Sequence, residues 1–511
     1  MAELTIKDFK GMNLKEGLWD QGFSEYTQCM DFYGLGDDQT FVSYGGVLQG
    51  ALAVSTMAQA AGNNAVTSCI TDFAFFNPQS FTYGIDIANP ARLYRWNQAV
   101  PNWTYVSSIA TSGIGSHLAV YNNNLYYTSN NYLGYYDGTA SNANYQQFTQ
   151  ANILPRPMKV FSGYLFIANG RYVDRYDGTT YLSQKLALPL DFIIRSMEIF
   201  RDGMYISADN GQFSRIFVWD GSSPTYNDSI NLNNEQYAPT LQATQGILWA
   251  VGNRGGSQGI NRTTALTPIY IFQQGQPDLL FELPLRRDVS WNPNTGVASY
   301  QNGLLVGSSE VLPASYETGV GGVWFIGKEL STGLFHASLL FGIIPAAGTT
   351  LNLGGVFSSG GTQSGSMAPA MYTCTSASGT FTMYQAASPS VSPQAAYTPT
   401  WMSLPIDAAS TKNKIWSGMR LNFEPMNTAG QGIEISYRLD SPSDPAGWTV
   451  LKTFNYSASD STSSPYSPRF SFIPLGRVAR TIAIRIKFLV GASLKTIRLH
   501  SFTLYYEELD H

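Results

Sequence analysis

Charge is what this 511-residue chain has least of. Asp, Glu, Lys and Arg make up 13% of it, about half the share usual in soluble domains. Long charged helix formers are correspondingly few, which argues against helical bundles and coiled coils. Cysteine is scarcer still. Cys29, Cys69 and Cys374 are far apart, odd in number and outside any metal-binding spacing, so they read as free thiols rather than a disulfide scaffold or a zinc site. The four histidines, His117, His336, His500 and His511, never fall at the i, i+4 spacing of a zinc-binding helix. No apolar run approaches the ~20 residues needed to span a bilayer. The opening residues Met1-Ala2-Glu3-Leu4-Thr5-Ile6-Lys7 lack a basic stretch followed by an apolar one. Neither membrane insertion nor Sec export is expected.

The formal net charge is −5, unevenly spread. Residues 1–400 carry 18 Lys and Arg against 26 Asp and Glu, whereas residues 401–511 carry 12 against 9. An acidic body repels nucleic acid, which argues against a DNA-reading protein.

What the chain does have is Gly, Ser, Thr, Asn and Gln for turns, and 31 Tyr and 28 Phe for strands. A repeat runs through its middle. Residues 118–139 read LAVYNNNLYYTSNNYLGYYDGT, residues 158–179 MKVFSGYLFIANGRYVDRYDGT and residues 197–222 MEIFRDGMYISADNGQFSRIFVWDGS. Each unit is an apolar strand, a short turn, a second strand, a polar loop and a third strand ending in aromatic-Asp-Gly. These ends are Tyr136-Asp137-Gly138, Tyr176-Asp177-Gly178 and Trp219-Asp220-Gly221, with the aspartates 40 and 43 residues apart. A period of ~40–45 residues with several short strands is the signature of a β-propeller blade. Weaker copies at 69–97, 247–273, 297–328 and 352–375 bring the count to about seven.

The expected organisation is all-β. An extended N-terminal arm occupies 1–60, a propeller 61–385 and a Pro/Ser/Ala-rich linker 386–400. A β-sandwich follows over 401–511, where Ile415, Met419, Leu421 and Phe423, then Ile433, Ile435, Tyr437 and Leu439, then Ile482, Ile484, Ile486 and Phe488 alternate with other residues. A one-residue slip of the apolar frame near Ser501 predicts a bulge.

Catalytic motifs are few and poorly placed. Gly255-Gly256-Ser257-Gln258-Gly259 matches a nucleophile elbow, but that motif needs a strand-turn-helix setting and here lies in a Gly/Arg/Asn loop of a β-repeat. Repetition of Asp137, Asp177 and Asp220 at equivalent positions argues for Asp-Gly turns, since a catalytic carboxylate pair would be unique. No catalytic, cofactor-binding or metal-binding residue is assigned. Arg485 and Lys487 lie on the outward phase of their strand and are candidate subunit contacts toward an acidic neighbour.

The chain resembles a family of tailed-bacteriophage tail proteins. The opening Phe9-Lys10-Gly11-Met12-Asn13, then Met30-Asp31-Phe32, then Tyr-Asp-Gly blades, follow that family's order. So does a C-terminal domain with Lys414-Ile415-Trp416, Ile433-Glu434-Ile435-Ser436-Tyr437, Trp448-Thr449-Val450-Leu451 and a closing Leu504-Tyr505-Tyr506. The layout is most similar to the nozzle or tail-hub (DNA-stabilisation) proteins of short-tailed phages. The small-residue stretch at 45–65 departs from it, where that family has an Arg-rich segment. The resemblance implies a virion structural protein of the tail, made in the host cytoplasm, without enzymatic activity or cofactor. It implies a ring of copies, usually a hexamer, below the portal and adaptor, through which genomic DNA passes without sequence-specific binding. Phe9, Asn13 and Phe32 would then dock the N-terminal arm on a neighbour or an adaptor ring. The alternative class is a tail-tip or fibre-associated host-recognition protein binding a surface glycan through exposed aromatic residues.

Overall fold

The computed structural model describes nearly all of residues 70–252 and strand segments before and after them. Residues 8–25, 36–46, 60–67, 253–266, 287–295, 312–320, 329–334, 344–351, 359–370, 387–399, 441–446, 457–470 and 490–498, with shorter stretches, lie outside the described residues. Among the described residues the regular structure is all strand, apart from one 3-10 turn at Asn77–Gln79. The chain forms two compact units. One comprises Ser55–Gly322 with Ile343–Gln385. The other comprises Met1–Val54, Val323–Gly342 and Ala386–His511.

Seven successive antiparallel sheets, here blades I to VII, follow one another along the described chain, and in each the first strand is paired only to the second. These first strands are Ile70–Phe76, Gly115–Tyr121, Met158–Phe161, Ile193–Phe200, Thr240–Thr244, Val297–Tyr300 and Asn352–Ser358. Each packs on the next, and Asn352–Ser358 returns to pack on Ile70–Phe76, so the ring is closed. This is a seven-bladed β-propeller, with the inner strands around its axis. Closure uses a distant segment. Blade VII has Asn352–Ser358, Met371–Ala377 and Thr380–Ala386 as its own strands and takes its fourth from Val54–Thr56. The joint is tight. A Cβ on Gly355 would lie 2.5 Å from the Thr71 carbonyl oxygen, so only glycine fits there.

The blades stick because both faces of each central strand are apolar. Tyr83, Ile85 and Leu93 of blade I meet Leu118, Leu125 and Tyr136 of blade II. Phe166, Val173 and Leu186 of blade III meet Met197, Ile206 and Trp219 of blade IV. Trp219 is fully buried and sits edge-on to Phe166 at 5.3 Å. Truncating such an aromatic to alanine costs about 3–5 kcal/mol.

The second unit holds a sandwich of two sheets, and Val323–Gly342, most of the two outer strands of blade VI, is grouped with it. One runs Phe32–Leu35, Val47–Gly50, Leu499–Glu508, Lys414–Phe423, Ser471–Ala479, with Ala2–Lys7 also paired to Leu499–Glu508. The other runs Tyr26–Met30, Thr400–Ser403, Ile482–Leu489, Gly432–Leu439, Thr449–Asn455. Their inner faces meet, with Phe423 of the first against Phe454 of the second at 5.7 Å and the Arg477 guanidinium donating to the Tyr437 hydroxyl at 3.0 Å.

The structure departs from the sequence expectation at two points. Residues 1–60 are not a free arm: strands from Ala2 to Gly50 complete both sandwich sheets, and Val54–Thr56 and Ala58–Gln59 join blades VII and I. Most of these short, weakly periodic strands find a pairing partner on chain hundreds of residues away. In the strand Lys414–Phe423, Trp416 rather than Ile415 is buried, because the register shifts between Trp416 and Gly418 and reverses the pleat. The bulge expected near Ser501 is present: Asn422 faces Ser501 but Phe423 faces Leu499, leaving His500 as the extra residue. The linker 387–399 lies outside the described residues.

Candidate functional site

An inner propeller strand presents an edge of unpaired backbone amides toward the axis, and such an edge must be satisfied or covered. Here side chains of one blade reach the inner strand of the next. Asp72 of blade I accepts from Leu118 N at 2.8 Å through Oδ2, while its Oδ1 accepts from Phe73 N at 2.9 Å. Ser116 Oγ of blade II accepts from Arg156 N at 2.9 Å. Ser196 Oγ of blade IV accepts from Leu241 N at 3.0 Å. Between blades III and IV the seam is ionic: Lys159 Nζ lies 2.7 Å from Glu198 Oε2.

These seams surround a cavity of about 260 Å³ on the propeller axis. Asp72, His117, Lys159 and Ser196 line it from blades I to IV, and Gln242, Ser299 and Ser358 from blades V to VII. Its titratable groups are unusual. Burial pushes the Asp72 carboxyl up to about 7, against the opposing pull of the Leu118 and Phe73 amides and of the Lys159 charge. Burial, helped by Lys159, lowers His117 to about 3. His117 is therefore neutral at pH 7, with Nδ1 2.8 Å from Ser116 Oγ.

Behind the axis, a buried polar pin joins blades II and III. Arg156 is fully buried. Its guanidinium donates to the Asn130 carbonyl at 2.8 and 3.0 Å, to Asn169 Oδ1 at 2.8 Å and to the Gln150 carbonyl, and it stacks 4.0 Å from the Phe148 ring centroid. Asn169 in turn donates to Asp174 Oδ2 at 2.8 Å, which also accepts from the Tyr181 hydroxyl.

The repeated aromatic-Asp-Gly ends prove to be one turn built three times. Asp137 Oδ1 accepts from the amides of Thr139 and Ala140, each at 2.7 Å. Asp177 Oδ1 does the same with Thr179 at 2.8 Å and Thr180 at 2.6 Å, and Asp220 Oδ1 with Ser222 and Ser223, each at 2.7 Å. These bonds hold the Asp137 and Asp177 carboxyls below the usual range, and the Ser223 hydroxyl, donating to Oδ2, does most for Asp220, with the Ser223 and Ser222 amides behind it. The preceding aromatic clamps its own turn: the Tyr136 and Tyr176 hydroxyls donate to the Gly138 and Gly178 carbonyls at 2.7 Å, and the Trp219 indole to the Ser223 carbonyl at 2.9 Å. Gly138, Gly178 and Gly221 have φ of 101°, 99° and 78°, a region that favours glycine.

On the sandwich, Arg485 and Lys487 lie on the face opposite the buried Ile484 and Ile486. Both are matched within their own sheet. The cross-strand register sets Glu434 against Lys487 and Ser436 against Arg485, giving 3.9 Å from Lys487 Nζ to Glu434 Oε1 and 3.3 Å from Arg485 to the Ser436 hydroxyl. Arg485 and Arg438 each approach the ring of half-exposed Trp448 at 5.0 Å. Phe32 opens a strand that pairs with Val47–Gly50; Phe9, Asn13, Ser257 and Cys69 lie outside the described residues. The structure thus brings Arg485 and Lys487 together and adds Arg438 and Trp448. Asp72 and Lys159 carried no motif in sequence, because what unites them is ring closure rather than spacing. Among the described residues, no group of three or more His, Cys, Asp or Glu could hold a metal ion, and no helix is long and apolar enough to cross a membrane.

No family model and no curated protein matches this chain. Solved structures match at low similarity. YCF48 bound to D1 peptide is 11% identical with a TM-score of 0.39, covering 66% of this chain and 100% of its own. The N-terminal domain of Nup159 is 12% identical with a TM-score of 0.38, covering 65% and 95%. An exo-β-1,3-galactanase from Phanerochaete chrysosporium with galactotriose is 12% identical with a TM-score of 0.29, covering 89% and 99%.

Proposed function

We propose that this chain is a non-catalytic structural subunit of a phage tail, copies of which form a ring that continues a DNA channel and retains the genome until ejection. The observation that carries the reading is the basic face of the sandwich, Arg438, Arg485 and Trp448, on a chain whose first 400 residues hold 26 acidic against 18 basic side chains. Such a face suits a head-to-tail contact, in which one surface meets a different surface of the next copy. Lys487 contributes less, since Glu434 already offsets it. The resemblance in order of parts supports the same assignment.

DNA would not run through the propeller itself. Its axial cavity of about 260 Å³ is far too small for a duplex whose major groove alone is about 12 Å wide. The channel therefore belongs to the centre of the ring, where acidic or neutral surface lets the polymer slide. The glycan-binding alternative needs an open aromatic platform. Trp448 is a poor one, because two guanidinium groups already approach its ring. Imaging purified particles decides the matter. We expect a closed ring of this chain beneath the portal and adaptor, with the Arg438 and Arg485 face at the contact between copies. Copies without mutual contact, or a strongly basic channel wall, would sink the proposal and favour receptor binding.

A further inference from the structure

The axial cavity is more than a gap left by ring closure. Its polar groups come from all seven inner strands, and their charges do not balance. Lys159 is matched by Glu198 at 2.7 Å, and His117 is neutral. The strands of blades V to VII bring only uncharged residues, such as Gln242, Ser299 and Ser358. That leaves Asp72. Its carboxylate accepts two backbone amides, but among the described residues it has no ion-pair partner, and a carboxylate has about four lone-pair directions to fill. Asp72 is partly exposed at the cavity, yet a carboxylate largely withdrawn from water and not matched by a cation is still costly, and proteins normally pair such groups or bind a cation there.

We propose that the axial cavity binds an organic ammonium or guanidinium group, with Asp72 as its counter-ion. The hydroxyls of Ser299 and Ser358 and the amide of Gln242 offer further acceptors for the remaining N–H donors, and the cavity has room for several water molecules at about 30 Å³ each, hence for a short alkyl chain behind the charged head. Specificity follows from the same inventory. An anion meets Asp72 and finds Lys159 already taken, whereas a neutral polyol leaves the carboxylate unmatched. The carboxyl's raised pKa of about 7 agrees with this, since a cation pairs with the ionised form and its binding must displace the proton held below that pH.

The test is calorimetric titration of the full chain with n-butylammonium chloride, and with a capped lysine-containing tripeptide as a second arm. We expect saturable binding at pH 8.5, weakened on the order of 100-fold at pH 5, where a group titrating near 7 is about 99% protonated. Proton release should show as a dependence of the heat on the buffer's ionisation enthalpy at pH 7. Tighter binding of the tripeptide would identify a partner's side chain as the source, and tighter binding of butylammonium a free amine. Asp72→Asn, which keeps an oxygen for the Leu118 amide, should abolish both. The idea fails if neither probe saturates at pH 8.5, or if affinity is the same at pH 5 and 8.5. It also fails if a folded D72N protein binds as the parent does. None of these outcomes depends on whether the chain forms a ring.

Discussion

Two side chains on the propeller axis titrate in opposite directions, and their balance sets part of the molecule's response to pH. Asp72 has its folded pKa raised from 3.8 to about 7. Between those values the folded state holds a proton that the unfolded chain has lost, so this group's contribution falls as pH rises. His117 has its pKa lowered from 6.5 to about 3. Below 6.5 the unfolded chain gains a proton that the folded state refuses, so its contribution falls as pH drops. From about pH 4 to 6.5 the two slopes oppose one another. Asp72→Asn removes one of them. The variant is expected to be more stable relative to the parent at pH 8 than at pH 4, by at most ~4 kcal/mol for a three-unit shift and less to the extent that water enters the cavity. It should also lose stability more steeply on acidification from pH 6.5. Urea unfolding at pH 4, 6.5 and 8 checks this, and a constant difference between the proteins would refute it.

At the scale of elements, the strand Ala2–Lys7 shows how a segment can look structureless in sequence and still be built in. It pairs antiparallel with the last strand, Ala2 opposite Tyr506 through Lys7 opposite Ser501. Deleting residues 2–7 removes that ladder and exposes an edge of Leu499–Glu508. At about 1 kcal/mol net per lost hydrogen bond, a loss of roughly 3–5 kcal/mol is expected, measurable as a lower thermal midpoint; an unchanged midpoint would mean the ladder adds nothing. The same contrast explains what could be read in advance. Tyr136, Tyr176 and Trp219 announced their blades because each closes its turn with local bonds, within two to four residues. The alternation of Ile482, Ile484 and Ile486 was legible for the same reason, since pleat and burial coincide. Ile415 was read into the apolar alternation, where the structure buries Trp416, because the bulge beyond it is set by the facing strands. Asp72 went unnoticed because its meaning depends on Leu118, 46 residues away, and on an axis that exists only after the ring closes.

For the whole molecule, the propeller is inserted within the sandwich: the sandwich unit takes Met1–Val54 from one end of the chain and Ala386–His511 from the other, and most of the propeller lies between them in sequence. A fragment of residues 401–511 made alone would lack Tyr26–Met30, Phe32–Leu35 and Val47–Gly50, strands of both sheets. It should give poorly dispersed amide resonances in solution, and co-production with residues 1–56 should restore dispersion; a well-folded isolated fragment would show the early strands to be dispensable. The pairing of Leu4 with Leu504 also has a meaning in time. A ribosome adding about 5–20 residues per second needs roughly 25–100 seconds to travel from one partner to the other. Throughout that interval Ala2–Lys7 has no mate, while the blades between the two partners can fold as they emerge. Completion of the sandwich is thus a record that translation has passed Leu499–Glu508. A polypeptide cut short between Ala386 and Leu499 would carry finished blades and an unfinished sandwich, leaving exposed the strand edges that cellular quality control is equipped to find.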